Sequence, residues 1–373
     1  MRQNNALQVY YDERHVGTLA MTADYKVAFQ YCEEWLENGF PISPFSLPLK
    51  KQVFVPTKDY FDGLFGVFAD SLPDNWGRLL LNRLLREHKQ NLDELTVLDR
   101  LAIVGKSGMG ALTYYPEKSF SEQQKPVNLD ELAEECAKIL NTEYSDKLDE
   151  LYRLGGTSGG ARPKIMTTID RKDWIIKFPA HVDGKDAGKM EYDYSCCARQ
   201  CGITMSETKL FPSDICKEYF GISRFDREAD GKRLHMLTAA ALLELDFEQP
   251  SLDYHSLMKL TKILTRDNKE DVENMFRRMC FNVFAHNRDD HSKNFTYLYD
   301  ETNDQWRLSP AYDLTYSNTY YGEHTTTVDG NGRNPGRKEL LAVGIAAGMR
   351  KSNCERIIDT IQACVSQMLG EYL

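Results

Sequence analysis

Ala285-His286-Asn287-Arg288-Asp289-Asp290-His291-Ser292-Lys293-Asn294 is the stretch from which the rest of this chain can be read. Before it, Val272, Met275, Phe276, Met279, Val283 and Phe284 recur at helical spacing, so a buried helix leads into it. After it, Phe295-Thr296-Tyr297-Leu298-Tyr299 reads as a strand. The polar run is therefore a loop between a helix and a strand, a rigid mount on which polar groups are well placed for chemistry.

The spacing within the loop says which chemistry. Protein kinases carry Arg-Asp, four residues and then Asn in the catalytic loop; the Asp takes the proton of the substrate hydroxyl and the Asn holds magnesium. Arg288-Asp289 is followed at that spacing by Asn294. The same residues read Asp-x-His-x-x-Asn, a pattern of phosphoinositide kinases. A second strand, Gln305-Trp306-Arg307-Leu308, precedes Ser309-Pro310-Ala311-Tyr312-Asp313-Leu314, and Asp313 falls where a kinase places its second magnesium-binding aspartate. A solvated turn with a charge pair explains Asp289 alone. It does not explain Asp289, Asn294 and Asp313 in that order.

Length and composition set the frame. A chain of 373 residues holds one large or two to three smaller domains, and 42% hydrophobic with 27% charged residues is ordinary for a soluble globular protein. No apolar run is long enough for a bilayer, and the start lacks a signal-peptide core, so a cytoplasmic protein with no membrane role is expected. Nine cysteines without a Cys-x-x-Cys pair suit a reducing compartment. Cys196, Cys197 and Cys201 fall on an expected helix and suit buried thiols better than zinc. A net charge of −10 argues against autonomous nucleic-acid binding.

Residues 1–117 read as a self-contained α+β unit. Leu7–Tyr11 and His15–Leu19 form a hairpin around Asp12-Glu13-Arg14, Val27–Tyr31 is a third strand, and Ala111–Tyr115 a last one. Pro73 suits an early helical position, with Trp76, Leu79, Leu80 and Leu84 as the buried face. Residues 117–128, with Pro126, read as a linker. Asn128 caps a helix with Glu131 three residues on, and Leu129, Leu132, Cys136, Ile139 and Leu140 supply its apolar stripe.

Leu154-Gly155-Gly156-Thr157-Ser158-Gly159-Gly160-Ala161-Arg162-Pro163-Lys164 is the second informative stretch. Four glycines let the backbone approach a phosphate, and free N–H groups can cradle it. The pattern is neither a Walker loop nor the strict protein-kinase loop. It precedes two strands, Lys164–Thr168 and Trp174–Phe178, and the second places Lys177 as a kinase places its ATP lysine. Met190–Gln200 reads as a helix on which Glu191 is the candidate partner of that lysine. Gly221–Arg227, a strand running into a charged turn, stands where a kinase hinge meets adenine. The rest, from about Met236 to His286 and from Arg337 to Leu373, is mostly helical, with periodicity in 238–245, 257–264 and 357–369.

These residues resemble the HipA-type serine/threonine kinases, toxins of bacterial toxin–antitoxin modules. The resemblance runs from about residue 7 to the C-terminus. It rests on Phe68-Ala69-Asp70-Ser71-Leu72-Pro73-Asp74, Gly159-Gly160-Ala161-Arg162-Pro163-Lys164, Ile176-Lys177-Phe178-Pro179, Arg224-Phe225-Asp226-Arg227, Asp289-Asp290-His291-Ser292-Lys293-Asn294 and Ser309-Pro310-Ala311-Tyr312-Asp313. It implies an α+β, two-lobed, protein-kinase-like fold with an N-terminal α+β subdomain (1–117), an ATP-binding region (128–235) and a helical C-terminal lobe (236–373). It implies Asp289 as catalytic base, Asn294 and Asp313 as Mg2+ ligands, and ATP as cofactor. Gly159, Gly160, Ala161, Arg162, Lys164 and Lys177 would hold phosphate, and Ser223, Arg224 and Phe225 would meet adenine. His291, Lys293 and Tyr312 would complete the nucleotide site. Family members autophosphorylate a serine in the glycine loop; that slot falls on Thr157, with Ser158 beside it. The resemblance also implies a small helix-turn-helix antitoxin as partner, DNA reached only through it, and a protein substrate, in some members an aminoacyl-tRNA synthetase. Three positions depart from the pattern: Ser223 replaces a common Glu, Thr157 a serine, and Asp290 a common glycine.

Other readings compete with a protein kinase. A small-molecule or lipid phosphotransferase shares Asp-x-His-x-x-Asn, but no basic or amphipathic membrane face stands out. A non-enzymatic co-repressor of a DNA-binding antitoxin is opposed by the intact Lys177, Asp289, Asn294 and Asp313. A metal-dependent hydrolase using His286, Asp289, Asp290 and His291 leaves Lys177 and the glycine loop without a role.

Overall fold

The computed structural model describes residues 5–89, 95–118, 127–180, 184, 186–246, 249–319 and 321–373. Most of the expected 117–128 linker, Pro126 included, lies outside the described residues. In chain order the elements are β1 (Ala6–Tyr11), β2 (Arg14–Met21), β3 (Val27–Tyr31), α1 (Glu33–Asn38), α2 (Gly66–Ala69), α3 (Asn75–Glu87), α4 (Val97–Val104), β4 (Leu112–Tyr115), α5 (Leu129–Leu140), α6 (Leu148–Gly155), β5 (Lys164–Ile169), β6 (Lys172–Lys177), α7 (Ala187–Gln200), β7 (Thr208–Pro212), β8 (Glu218–Ser223), β9 (Met236–Thr238), α8 (Ala239–Leu243), α9 (Tyr254–Leu264), α10 (Lys269–Phe284), β10 (Thr296–Asp300), β11 (Gln305–Leu308), α11 (Arg337–Ala346) and α12 (Lys351–Leu369). They fall into two compact units. The first holds Met1–Asp186, Phe211–Leu237 and Ala241–Glu244; the second holds Ala187–Leu210, Thr238–Ala240 and Leu245–Leu373. Among the described residues no helix is long and apolar enough to cross a membrane.

In the first unit, β3-β2-β1-β4 form one antiparallel sheet. Strand β1 buries Leu7, Val9 and Tyr11, the period of two that a half-buried strand requires. A second sheet has the order β5-β6-β8-β7, with β5, β6 and β8 antiparallel neighbours. Helix α3 packs into one core with α5, α6 and the second sheet. Its N-cap is Asp74, so Pro73 stands just outside the helix rather than in its first turn: the chain is still extended at Asp74. Trp76, Leu80, Leu81, Leu84 and Leu85 pack with Leu132, Cys136 and Ile139 of α5, Leu151 and Leu154 of α6, and Ile165, Trp174 and Ile176 of the sheet. Burying each such side chain contributes roughly 1.5–3 kcal/mol, so the N-terminal residues and the glycine-loop sheet share a common source of stability.

The second unit is built on α10. Its N-cap Asn268 accepts the Asp271 N–H at 3.1 Å, and its buried residues run from Asp271 to Val283 on more than one face. Helices α9, α11 and α12 pack around it, and α7 packs on α12. Arg278 is wholly buried in this unit. Its Nε donates to Asn274 Oδ1 at 3.0 Å and its Nη2 to the Ser309 carbonyl, which ties α10 to the turn after β11. Burial pulls its guanidinium down to about 10, so it stays charged at neutral pH. Residues 238–245, expected as one helix, are instead the end of β9 and the short α8.

Candidate functional site

Helix α10 ends at Phe284 with Ala285 as its C-cap, and His286 turns the chain with φ of +52°. The loop that follows is tied down from several sides. Asn287 donates from Nδ2 to Asn282 Oδ1 at 3.0 Å and to the Asp313 carbonyl at 3.2 Å. The Arg288 carbonyl accepts the Thr325 N–H at 2.9 Å, and its guanidinium reaches Asn318 at 2.9 Å. His291 caps a short 3-10 turn, Ser292–Asn294, with Nδ1 accepting the Lys293 N–H at 3.2 Å.

The two adjacent aspartates point to opposite environments. Asp289 is exposed, whereas Asp290 is completely buried. The Asp290 carboxylate accepts Tyr254 Oη–H at 2.8 Å, His324 Nδ1–H at 3.1 Å and the Thr326 N–H at 3.0 Å. Its carbonyl accepts the Thr326 hydroxyl at 2.5 Å. Asn282 Nδ2 in turn donates to Tyr254 Oη at 2.9 Å. The acid that had no role in the sequence pattern is thus the anchor of the loop. A buried carboxylate is tolerated only when its oxygens are satisfied, and here they are.

Asn294 donates Nδ2 to the Asp289 carbonyl at 2.7 Å, which leaves its amide oxygen as the atom offered to a cation. Asp313 sits at φ +51°, half-buried, and Asn287 holds its carbonyl to the same loop. A carboxylate and an amide oxygen on one loop system are the hard oxygen donors that Mg2+ takes, so these residues fit that ion. The Tyr312 hydroxyl donates to the Lys293 carbonyl and pairs with Thr296 Oγ1, both at 2.5 Å, so it braces the turn that carries Asp313. Burial, with Arg288 and His324 adding to it, pulls the His286 imidazole below its ordinary value. On α7, Glu191 is buried rather than solvated.

In the first unit the glycine stretch divides into two parts. Gly155 ends α6 and Gly156 caps it. A Cβ on Gly155 would stand 2.1 Å from the Lys164 carbonyl oxygen, and one on Gly77 of α3 would stand 2.0 Å from that of Gly156. Gly155 is therefore required by packing, and the bare Gly156 carbonyl seats against α3 only because Gly77 has no side chain. Gly159 and Gly160 form the loop proper. Gly160 has φ of +90°, its N–H goes to Asp74 Oδ2 at 3.0 Å, and its carbonyl accepts the Trp76 N–H at 3.2 Å. Thr157 and Ser158 are buried, the first donating to the Ser107 carbonyl at 2.8 Å and the second to the Gly155 carbonyl at 2.6 Å. Ala161 and Arg162 are exposed.

Lys164 and Lys177 stand opposite each other in the β5–β6 ladder. Lys164 Nζ donates to the Gly159 carbonyl, and Lys177 Nζ lies 5.7 Å from the Phe220 ring centre. Ser223 ends β8 opposite Trp174. The Arg224 N–H goes to the Asp173 carbonyl at 2.9 Å, and its guanidinium forks onto Asp226 at 2.9 and 2.7 Å. Arg227 Nη1 and the Gly110 N–H also reach Asp226, both at 2.8 Å. Burial pushes the Asp226 carboxyl up, but Arg224 and Arg227 outweigh it and hold the group below its usual range. The Arg-Phe-Asp-Arg motif is thus an internal ion cluster, with Phe225 half-buried beside it.

Residues 7–115 match the model of the HipA N-terminal domain, and residues 156–368 match that of the HipA-like C-terminal domain. Two Sinorhizobium fredii proteins with provisional kinase names, Y4mE and Y4dM, are each 26% identical; both alignments cover 84% of this chain and 78% of the relative. Among solved structures, HipA of the Shewanella oneidensis MR-1 toxin–antitoxin system, determined with HipB and its operator DNA, superposes with a TM-score of 0.73. That match covers 98% of this chain and 90% of the other at 17% identity, so it speaks for the fold, which is α+β and kinase-like as the sequence motifs imply. With both halves of the chain matched to the same family and the fold in agreement, this protein belongs to the HipA family.

Proposed function

We propose that this protein is an ATP- and Mg2+-dependent serine/threonine protein kinase and the toxin of a toxin–antitoxin module. The observation that carries the reading is the pair Asp289 and Asp290: one carboxylate presented to solvent, its neighbour buried as the anchor that fixes it. A general base needs that combination of access and rigidity. Asp289 accepts the proton of the substrate hydroxyl. Asn294 and Asp313 hold Mg2+, which when bound neutralises phosphate charge. Lys164, Lys177 and the loop at 159–162 hold phosphate oxygens, and the strand end at 223–225 meets adenine. The chain phosphorylates a cellular protein, an aminoacyl-tRNA synthetase being the substrate class the family suggests. It also phosphorylates Thr157 or Ser158 in its own loop.

Its partner is a small, basic, helix-turn-helix antitoxin. At −10 this chain is a poor DNA ligand, because phosphate contacts dominate nucleic-acid affinity. A basic dimer bridges that gap and brings the acidic chain to DNA indirectly. The test of the kinase is incubation with γ-labelled ATP and Mg2+, followed by mass spectrometry of the protein and of a host lysate. Label in the wild type and its loss in Asp289→Asn are expected; equal label in both overturns the reading. An adjacent gene for a short basic helix-turn-helix protein is the expectation; its product is co-expressed with this chain, and separate elution of the two proteins at micromolar concentration counts against the partner.

A further inference from the structure

We propose that Cys197, Cys201 and Cys364, in the second unit, form a binding site for one thiophilic cation, Zn2+ or Cu+. The sequence alone shows only Cys196, Cys197 and Cys201 near one another on a helix, which is a pattern of buried thiols. The fold adds Cys364 from α12. The Cys201 N–H donates to the Cys197 carbonyl at 2.9 Å, so the last turn of α7 continues through Cys201 and puts both thiols on one face, four residues apart. Cys364 and Met368 stand four apart on α12 in the same way, with Cys364 Sγ 3.7 Å from Met368 Sδ. The two pairs meet: Cys197 Sγ lies 3.8 Å from Cys364 Sγ, and the three thiol sulfurs all lie within 4.8 Å of one another.

The 3.8 Å separation is the one a metal needs, and the third sulfur is within a small side-chain adjustment of it. With metal–sulfur bonds of ~2.3 Å, sulfurs around a tetrahedral ion stand roughly 3.8 Å apart. A buried thiol acting only as a small apolar side chain needs no second sulfur beside it. Here three thiols converge from two helices, with a thioether next to the third. Sulfur donors without a carboxylate among them select soft cations over Mg2+ or Ca2+. Cys197 and Cys201 are buried and Cys364 is half-buried, so an ion enters from the Cys364 side. Binding releases up to three thiol protons to the buffer as metal–thiolate bonds form. The bound ion ties α7, the helix of Glu191, to α12.

The test uses the full-length protein, reduced and stripped of metal, titrated separately with Zn2+ and with Cu+ against a chromophoric chelator. One equivalent bound and a higher Tm are expected, as is a thiolate-to-metal charge-transfer band when Co2+ replaces Zn2+. Cys197→Ser and Cys364→Ser should each weaken binding by more than the ~10–100-fold typical of an outer-shell partner. Cys196→Ser should not, because Cys196 faces Arg199 at 3.5 Å instead. Met368→Leu separates the ions: it weakens Cu+ and leaves Zn2+ unchanged. If wild type and the Cys197→Ser, Cys364→Ser double variant bind metal alike, or if thiol counting of anaerobically purified wild type finds a disulfide within the cluster and no metal uptake after reduction, the proposal is wrong. The wild-type titration stands by itself should a variant fail to fold.

Discussion

The carboxylate of Asp290 accepts a 2.8 Å hydrogen bond from the hydroxyl of Tyr254, and both groups are shut off from solvent. That bond joins the loop to the first residue of α9, and through Asn282 it also reaches α10. Removing the carboxylate leaves the buried donors of Tyr254, His324 and Thr326 unpaired, at about 1–3 kcal/mol for each group, so several kcal/mol together. Asp290→Ala should therefore lower stability by about that much and displace the loop that carries Asp289. Tyr254→Phe deletes only the hydroxyl and should cost less, on the order of 1–3 kcal/mol. Denaturant unfolding of the two variants checks the ranking. Equal stability of Asp290→Ala and wild type would show that the network does not hold the loop.

Asp289 differs from its neighbour because its side chain is exposed. Asp289→Asn should leave the unfolding curve unchanged and reduce phosphoryl transfer by ~10²–10⁴-fold, the usual contribution of a positioned base. Asp313→Ala should instead weaken Mg2+-dependent ATP binding. Calorimetry with and without Mg2+ separates the two effects. A base assignment for Asp289 does not survive wild-type turnover by Asp289→Asn.

The candidate residues of this loop were legible because kinase-type chemistry fixes residue spacing within short loops. Asp289, Asn294 and Asp313 could be picked out without knowing any contact. The anchors could not. His324 and Thr326 reach Asp290 across separations of 34 and 36 residues, and no local pattern announces a buried carboxylate. Strands β3 and β11 match their sequence readings to the residue; β11 alternates, whereas β3 is a short apolar run buried on both faces. Helices α1, α2, α4 and α6 were not read from periodicity because they are short and few apolar repeats fit in them. The start of α4 was nonetheless written in the sequence, where Thr96 and Asp99 form a capping box. The glycine run carries more than one demand. Four glycines suggested a phosphate cradle, but Gly155 answers to the close approach of the Lys164 carbonyl, a contact nine residues on, and Gly156 to Tyr152 one helical turn back.

His235 gives a prediction with a sign. It is completely buried in the first unit and donates Nε2–H to the Ile42 carbonyl at 2.7 Å. Burial pushes its imidazole down to about 4 from an ordinary 6.5, and the hydrogen bond to Ile42 pulls weakly the other way. The folded state thus binds its proton less readily than the unfolded one. Its contribution is fully present above pH 6.5 and is lost as pH falls from there through about 4. At 1.36 kcal/mol per pH unit the loss amounts to ~3 kcal/mol. Unfolding of wild type and His235→Gln at pH 7, 5.5 and 4.5 measures the difference. Parallel pH profiles would remove His235 as the source.

Asp74 should control how readily the glycine loop opens. Its carboxylate holds the Gly160 N–H at 3.0 Å, while Thr157 and Ser158 lie buried with their hydroxyls committed to carbonyls. Neither hydroxyl can receive phosphate until the loop leaves this position. A hydrogen bond to a charged group contributes about 1.5–3 kcal/mol, so losing it raises the open population by ~10–100-fold. Asp74→Ala should therefore autophosphorylate faster and be cut sooner by protease within 157–162. Once Thr157 or Ser158 carries phosphate, roughly −1.5 to −2 charges stand near the Asp74 carboxylate. Repulsion then opposes return of the loop in wild type and is weaker in the variant. Phosphorylated Asp74→Ala should accordingly regain protease resistance more than phosphorylated wild type does. The readouts are the initial rate of label incorporation, mapped to Thr157 and Ser158, and the cleavage rate before and after labelling. Identical label and cleavage rates in Asp74→Ala and wild type would mean that Asp74 only caps α3 and does not hold the loop.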